Sequence, residues 1–286
     1  MNTLVSNPFR TELARLGLQE DPFQLSADPR YLYLGEEHQE VYKIVQGVIL
    51  RRRGLALVVG EPGTGKSSLA RYVYDRLYGR DGIDVAYVDT SNFDTRAAAA
   101  RKISQSFENI HVPFGSSYGV QMENFKQQLV TVYNEGRIAV LLLDDAQKLR
   151  RPSLEMLHEL YNFDFGEKVI TVVAFGEVPA VQNFYRYPSI GSRLYTIQTL
   201  KAISYETTLQ MVAFRLQVAG CSKSMFDEEA FRLLYQATVG NPREVVILCS
   251  MTLDALVENG DERVDGKLMD QVASQYTRIK KQRLNE

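Results

Sequence analysis

From Gly54 onward the chain alternates short, continuous apolar runs with longer stretches of helical spacing. Leu55-Ala-Leu-Val-Val59, Val85-Ala-Tyr-Val88, Ile138 to Leu143 and Val169 to Phe175 lack the polar alternation of a half-exposed strand. That is the pattern of strands buried on both faces. Leu194 to Thr199 reads as a fifth strand. Between the runs, Lys66 to about Tyr78, Thr95 to Phe107, Val120 to Glu135 and Ser153 to Phe163 read as helices. Upstream, Val41, Ile44, Val45, Val48 and Ile49 give Glu36 to Arg52 a helical period. Strands alternating with helices predict an α/β fold with a parallel sheet and helical crossovers.

After Leu200 the strand signal stops. Tyr205 to Val218, Asp227 to Thr238, Pro242 to Glu258 and Gly266 to Lys281 read as four helices, so the sheet domain is expected to be followed by a small all-α lid domain. Ser204 and Asp227 are N-cap residues and Pro242 suits a first turn. The expected division is an N-terminal arm over 1–35, a nucleotide-binding α/β domain over 36–200, and a helical domain over 201–286 with a basic tail of Arg278, Lys280, Lys281 and Arg283. In the arm, Leu4, Phe9, Leu13, Leu16 and Leu18 suit a short amphipathic helix; Asp21-Pro-Phe23 breaks it, and Tyr31-Leu-Tyr-Leu34 reads as extended. The arm has no clear partner in the core pattern.

Composition narrows the class. The chain has 286 residues, 45% of them hydrophobic, and a formal charge of −2. Whole-surface attraction to nucleic acid is therefore not expected, although a local basic strip is compatible with that balance. Cys221 and Cys249 lack metal-ligand spacing, as do His38, His111 and His158, and all five read as ordinary core or surface residues. Arg10, Glu12 and Arg15 interrupt any leader peptide at the start. No apolar run approaches the roughly 20 residues of a membrane helix. The expectation is a soluble, cytoplasmic protein with no membrane partner.

Gly60-Glu61-Pro62-Gly63-Thr64-Gly65-Lys66-Ser67 matches GxxxxGK[ST] in full, between a buried strand and a helix. Backbone N–H groups freed by the glycines can turn toward phosphates, and the helix N-terminus adds partial positive charge. Lys66 should reach the β- and γ-phosphates of ATP, Ser67 should ligate Mg²⁺, and Ser68 joins the nucleotide-binding set. Val140-Leu-Leu-Leu-Asp144-Asp145 then delivers Asp144 beside the phosphate loop to hold the Mg²⁺ hydration shell, with Asp145 polarising the attacking water.

With these residues in place, the motif series resembles AAA+ ATPases, and among them the ExeA-like group that includes the transposition regulators TnsC, TniB and MuB. The resemblance runs from about Asp21 to Tyr276. It is carried by Asp21-Pro-Phe23 with Tyr31-Leu-Tyr33, the phosphate loop, Leu142-Leu-Asp-Asp-Ala-Gln147, Val173-Ala-Phe-Gly176, Ser192-Arg193-Leu194, Phe214-Arg-Leu-Gln-Val-Ala-Gly220 and Gly240-Asn-Pro-Arg243. It implies that Tyr31 and Leu32 lie over the adenine. Arg193 resembles an arginine finger acting in trans, with Arg186 as competitor, and Arg243 resembles sensor 2. Glu177 falls near the sensor-1 position, where a carboxylate is unusual. Related ATPases carry Glu at the position of Asp145; the shorter side chain implies slow turnover.

A finger in trans implies assembly into a ring or helical filament. The leading expectation is a TnsC-type regulator that coats duplex DNA and recruits a transposase or targeting protein. Arg96, Arg101 and Lys102, with Lys148, Arg150 and Arg151, are the candidate contacts to DNA phosphates, or else solvated helix faces. A secretion or envelope-assembly ATPase of the ExeA kind is the alternative. Such proteins typically continue into a membrane span and a wall-binding domain, which are not present before Glu286. A nucleotide-gated assembly switch with little hydrolysis is the third reading. Origin-recognition ATPases fit less well, because no winged-helix segment follows Tyr276.

Overall fold

The computed structural model describes residues 8–25, 28–89, 93–163, 166–221 and 223–284. Leu4 and the side chains of Phe9 and Arg283 lie outside what is described. In chain order the elements are α1 (Pro8–Arg15), a 3₁₀ turn (Pro29–Tyr31), α2 (Glu36–Leu50), β1 (Leu55–Val59), α3 (Lys66–Leu77), β2 (Ile83–Val88), α4 (Arg96–Ser104), α5 (Tyr118–Asn134), β3 (Ile138–Leu143) and a second 3₁₀ turn (Ala146–Lys148). There follow α6 (Arg151–Tyr161), β4 (Ile170–Gly176), α7 (Pro179–Tyr185), α8 (Pro188–Gly191), β5 (Leu194–Thr199), α9 (Tyr205–Val218), α10 (Glu228–Thr238), α11 (Pro242–Asn259) and α12 (Gly266–Leu284). Two compact units result: His38–Lys201, and the segment up to Glu37 joined with the chain from Ala202 onward.

The first unit is a five-stranded parallel sheet in the order β2-β3-β4-β1-β5. β1 and β4 are buried throughout and β3 all but its first residue, as their continuous apolar runs require. β5, at one edge, is only partly covered. α3 packs against β2, β3 and β4, α5 against β3, and α7 against β1. Because every strand runs the same way, the loops after β1, β3 and β4 gather on one edge of the sheet. β4 lies between β1 and β3, with Val59 paired to Gly176 and Leu143 to Ala174. Asp144 is therefore not immediately beside the phosphate-loop strand: two strand spacings, about 10 Å, separate the two backbones.

The helical unit has its own core. α10, α11 and α12 pack on one another, and α9 packs on α10, α11 and the first 3₁₀ turn. The arm belongs to this core: Leu13, Leu16, Leu18, Phe23 and Tyr31 are buried with Val212, Leu216, Phe226 and Cys249. A buried cation fastens it. Arg215, 8% exposed, donates to the carbonyls of Pro22 (2.7 Å), Tyr31 (3.1 Å) and Gln24 (2.9 Å), and its guanidinium lies 5.1 Å from the Tyr31 ring centroid. The Phe23 N–H also closes onto Asp21 Oδ1. Residues 29–31 are thus a 3₁₀ turn capped by Asp28, and the extended backbone starts at Leu32. α7 and α8 were not anticipated, because seven and four residues are too short for a 3.6-residue period to show.

Replacing Arg215 by Leu leaves three carbonyls without their donor. The expected loss is about 3 kcal/mol, seen in calorimetry as a Tm lower by roughly 6–12 °C. A Tm that does not move contradicts the clamp.

Candidate functional site

The loop after β1 closes on itself through one oxygen. The Glu61 carbonyl accepts from the Thr64 N–H (3.3 Å), from Thr64 Oγ1 (2.9 Å) and from Lys66 Nζ (2.8 Å). With carbonyls engaged inside the turn, amides are left to face out of it. Gly63 and Gly65 have φ of 85° and 94°, the left-handed region in which a side chain is strained. At Gly60 an added Cβ would come within 2.5 Å of the Leu200 carbonyl, where β5 ends against the loop. Gly65 caps α3, and Ser67 and Ser68 are exposed on its first turn. The N-terminus of this helix and the amides of the loop form one electropositive cradle.

The loops after β3 and β4 provide the acidic side. Asp144 is 7% exposed and accepts from Tyr87 Oη (2.9 Å) and from the Asp145 N–H (2.9 Å). Both its oxygens accept, so the orientation of the carboxylate is fixed. Burial, and then the same carboxylate, push the Tyr87 hydroxyl well above the usual tyrosine range. Burial lowers the Lys66 ammonium from its ordinary value, while Glu177, Asp144, Glu61 and Asp145 pull it back up. The charges acting on Lys66 thus come from the ends of β3 and β4 as well as from its own loop.

Asp145 takes a left-handed conformation, φ 55°. Its two oxygens accept from Gln147 Nε2 (3.1 Å) and Lys148 Nζ (2.6 Å). Gln147 ties the two loops together, since its Oε1 accepts the Glu177 N–H at 3.0 Å. An added Cβ at Gly176 would meet Ala146 Cβ and Gln147 Oε1 at 3.0 Å, so the end of β4 passes closely under this turn and a side chain there would press on it. Among the described residues no group of three or more His, Cys, Asp or Glu is arranged to hold a metal. A hard divalent ion that keeps waters and takes phosphate oxygens needs only one carboxylate and one hydroxyl, which Asp144 and Ser67 fit.

The other predicted residues fall elsewhere. The Tyr31 ring, 4% exposed, is committed to the helical core and its carbonyl to Arg215, so of the adenine pair only Leu32 is partly accessible. Arg243 is exposed on the first turn of α11, in the helical unit. Arg193 precedes β5 with its guanidinium 5.5 Å from the Tyr161 ring centroid. It is at the opposite edge of the sheet from the phosphate loop, one six-residue strand away, about 20 Å.

Of the basic residues, Arg96 stacks on Tyr118 and pairs with Glu155, Arg101 stacks on Phe114, and Lys102 is exposed beside it. Arg150 pairs with Asp94 and Arg151 with Glu155, both exposed bridges of little stability. Lys148, Arg150, Arg151 and Arg186 line one cleft of about 460 Å³ with Gln147, Leu149, Asn183 and Tyr187, and no carboxylate lines it.

Residues 49–182 match the family model described as AAA domain. That stretch is a little under half of the chain. The General secretion pathway protein A of Aeromonas hydrophila is 30% identical over 254 residues, 87% of this chain and 45% of that protein. An uncharacterised HTH-type transcriptional regulator of Methanocaldococcus jannaschii is 22% identical over 270 residues, 82% of this chain and 66% of that one. The chain thus spans between about half and two thirds of the curated relatives it matches. Among solved structures, the Aeropyrum pernix ORC2 protein superposes with a TM-score of 0.63 at 17% identity, over 89% of this chain and 70% of that one. The Aeropyrum pernix ORC1 protein in complex with DNA gives 0.63 at 19%, over 87% and 68%. These two show the same fold: a parallel α/β sheet unit accompanied by a helical unit. Among the described residues no helix is long and apolar enough to cross a membrane.

Tyr87 was not singled out in the sequence, where it looks like one more residue of a strand. Tyr87→Phe keeps the ring, which packs on Tyr74 and under Arg71, and deletes the hydroxyl on Asp144. The Mg²⁺ concentration for half-maximal ATP-analogue binding should rise roughly tenfold, with Tm little changed. An unchanged Mg²⁺ titration removes Tyr87 from the site.

Proposed function

We propose that this chain is an AAA+ ATPase that binds ATP with Mg²⁺, hydrolyses it slowly and works as an oligomer, akin in its ATPase part to the General secretion pathway protein A. One observation carries the reading: the loop of residues 60–67 folds around the Glu61 carbonyl, which gathers the Thr64 N–H, Thr64 Oγ1 and Lys66 Nζ at the start of α3, on the same edge of the sheet as Asp144. Lys66 Nζ would exchange the Glu61 carbonyl for β- and γ-phosphate oxygens, while loop amides hold the rest of the chain of phosphates. Mg²⁺, held by Ser67 and Asp144, would neutralise charge on those oxygens. Asp145 would accept a proton from the attacking water, and its present engagement with Lys148 and Gln147 restrains it from doing so. Arg193 is too far from its own phosphate loop to serve it, which supports a role at a neighbouring subunit's site. Leu32 as an adenine contact and Arg243 as a γ-phosphate sensor rest on sequence resemblance.

Two substitutions test the chemistry. Lys66→Ala should weaken ATP retention at least tenfold. Asp145→Asn should leave binding intact and slow hydrolysis by roughly a hundredfold; equal turnover by parent and variant removes Asp145 from the mechanism. Lys148→Ala, by releasing that carboxylate from an exposed ion pair, should raise turnover about two- to fivefold.

A second element of the reading is duplex DNA as partner, favoured by the cleft of Lys148, Arg150, Arg151 and Arg186. Phosphate contacts of this kind carry no sequence information and weaken steeply with salt. Arg150→Ala with Arg151→Ala should lower DNA affinity and flatten its salt dependence by about two units of slope. Equal DNA binding by parent and variant at every salt concentration rejects the cleft. The expected recruitment of a transposase or targeting protein rests on the sequence resemblance alone. Similarity to the secretion protein favours the ExeA-like alternative more than the sequence reading did.

A further inference from the structure

We propose that His38 is a positioning residue of the phosphate loop, its imidazole N–H fixing the peptide that aims the Gly65 amide at the phosphates. This rests on the reading of residues 60–67 as the nucleotide site. His38 lies in the first turn of α2, 4% exposed, on the same buried stripe as Val41, Val45 and Val48. Its Nε2 is 2.9 Å from the Thr64 carbonyl oxygen. A carbonyl only accepts, so Nε2 carries the proton and donates.

The acceptor gives this contact its meaning. The Thr64–Gly65 peptide is trans, as every peptide in the described chain is, so the Thr64 carbonyl and the Gly65 N–H point to opposite sides of one rigid plane. Holding the carbonyl against α2 turns the amide away from α2. Among the described residues no other hydrogen bond reaches this carbonyl, and the Thr64 hydroxyl and amide are both engaged with Glu61. The contact is also close. A Cβ built on Gly65 would come within 2.6 Å of His38 Nε2, so glycine at 65 is required by the imidazole as well as by its positive φ. A core histidine serving only to fill space would be satisfied by any nearby acceptor and would leave the loop peptide free to rotate.

Three substitutions in the full-length chain separate these roles, read by the Kd of a fluorescent ATP analogue with Mg²⁺ and by Tm. Gln can bring an amide N–H to the position of Nε2; Asn is too short to reach it; Phe keeps the ring volume and has no donor. His38→Phe and His38→Asn should each weaken binding about tenfold, the scale of one misdirected donor. His38→Gln should bind within about threefold of the parent. If His38→Phe fails to fold, the Gln and Asn pair carries the comparison. Equal affinity for the Gln and Asn variants, or parent-like affinity for Phe, overturns the proposal. In either of those cases the nucleotide site itself stands if Lys66→Ala still loses the analogue. A parent that retains no analogue overturns both.

Discussion

A loop can grip an anion through its amides only if something else holds its carbonyls. Here a single carbonyl, that of Glu61, gathers Thr64 N–H, Thr64 Oγ1 and Lys66 Nζ, and the carbonyl of Thr64 is tied back to His38. The outward direction of the amides follows from these inward commitments. Everything the site is proposed to do depends on them, because preorganised donors act without reorganising when charge arrives.

The parallel sheet converts that local arrangement into a site. It brings the ends of β1, β3 and β4 to one edge, with β4 as the spacer between the phosphate loop and Asp144. Gly176 lets the turn of Ala146 and Gln147 close over β4, and Gln147 then joins Asp145 to Glu177. Tyr87, from the far side of β3, fixes Asp144. The charge on Lys66 is thus balanced by carboxylates from three separate loops, and the half-burial that lowers its pKa also strengthens its attraction for a polyanion.

Much of this was legible because the buried strands are continuous apolar runs. β1, β3 and β5 fall on the predicted residues, and the helices agree to within a few residues at their ends. The phosphate loop was legible because its spacing is itself the chemistry. Strand order was not: nothing in the residues of β4 says that it lies between β1 and β3. The partner of the arm was hidden because Arg215, which fastens it, reads as a solvated helical cation until three carbonyls are found around it. His38 read as an ordinary residue although it shares the stripe of Val41, Val45 and Val48, a polar residue on an apolar face. Asp145 was read for its carboxylate alone. Its left-handed backbone and its pairing with Lys148 came only from the fold.

The central claim is that the loop after β1 binds a nucleoside triphosphate through its amides with help from a divalent ion. Isothermal titration of the full-length chain with a non-hydrolysable ATP analogue tests it most directly. The account predicts saturable binding at one site per chain that weakens when Mg²⁺ is removed by chelation. No saturable heat, with or without Mg²⁺, from a protein shown to be folded would contradict it.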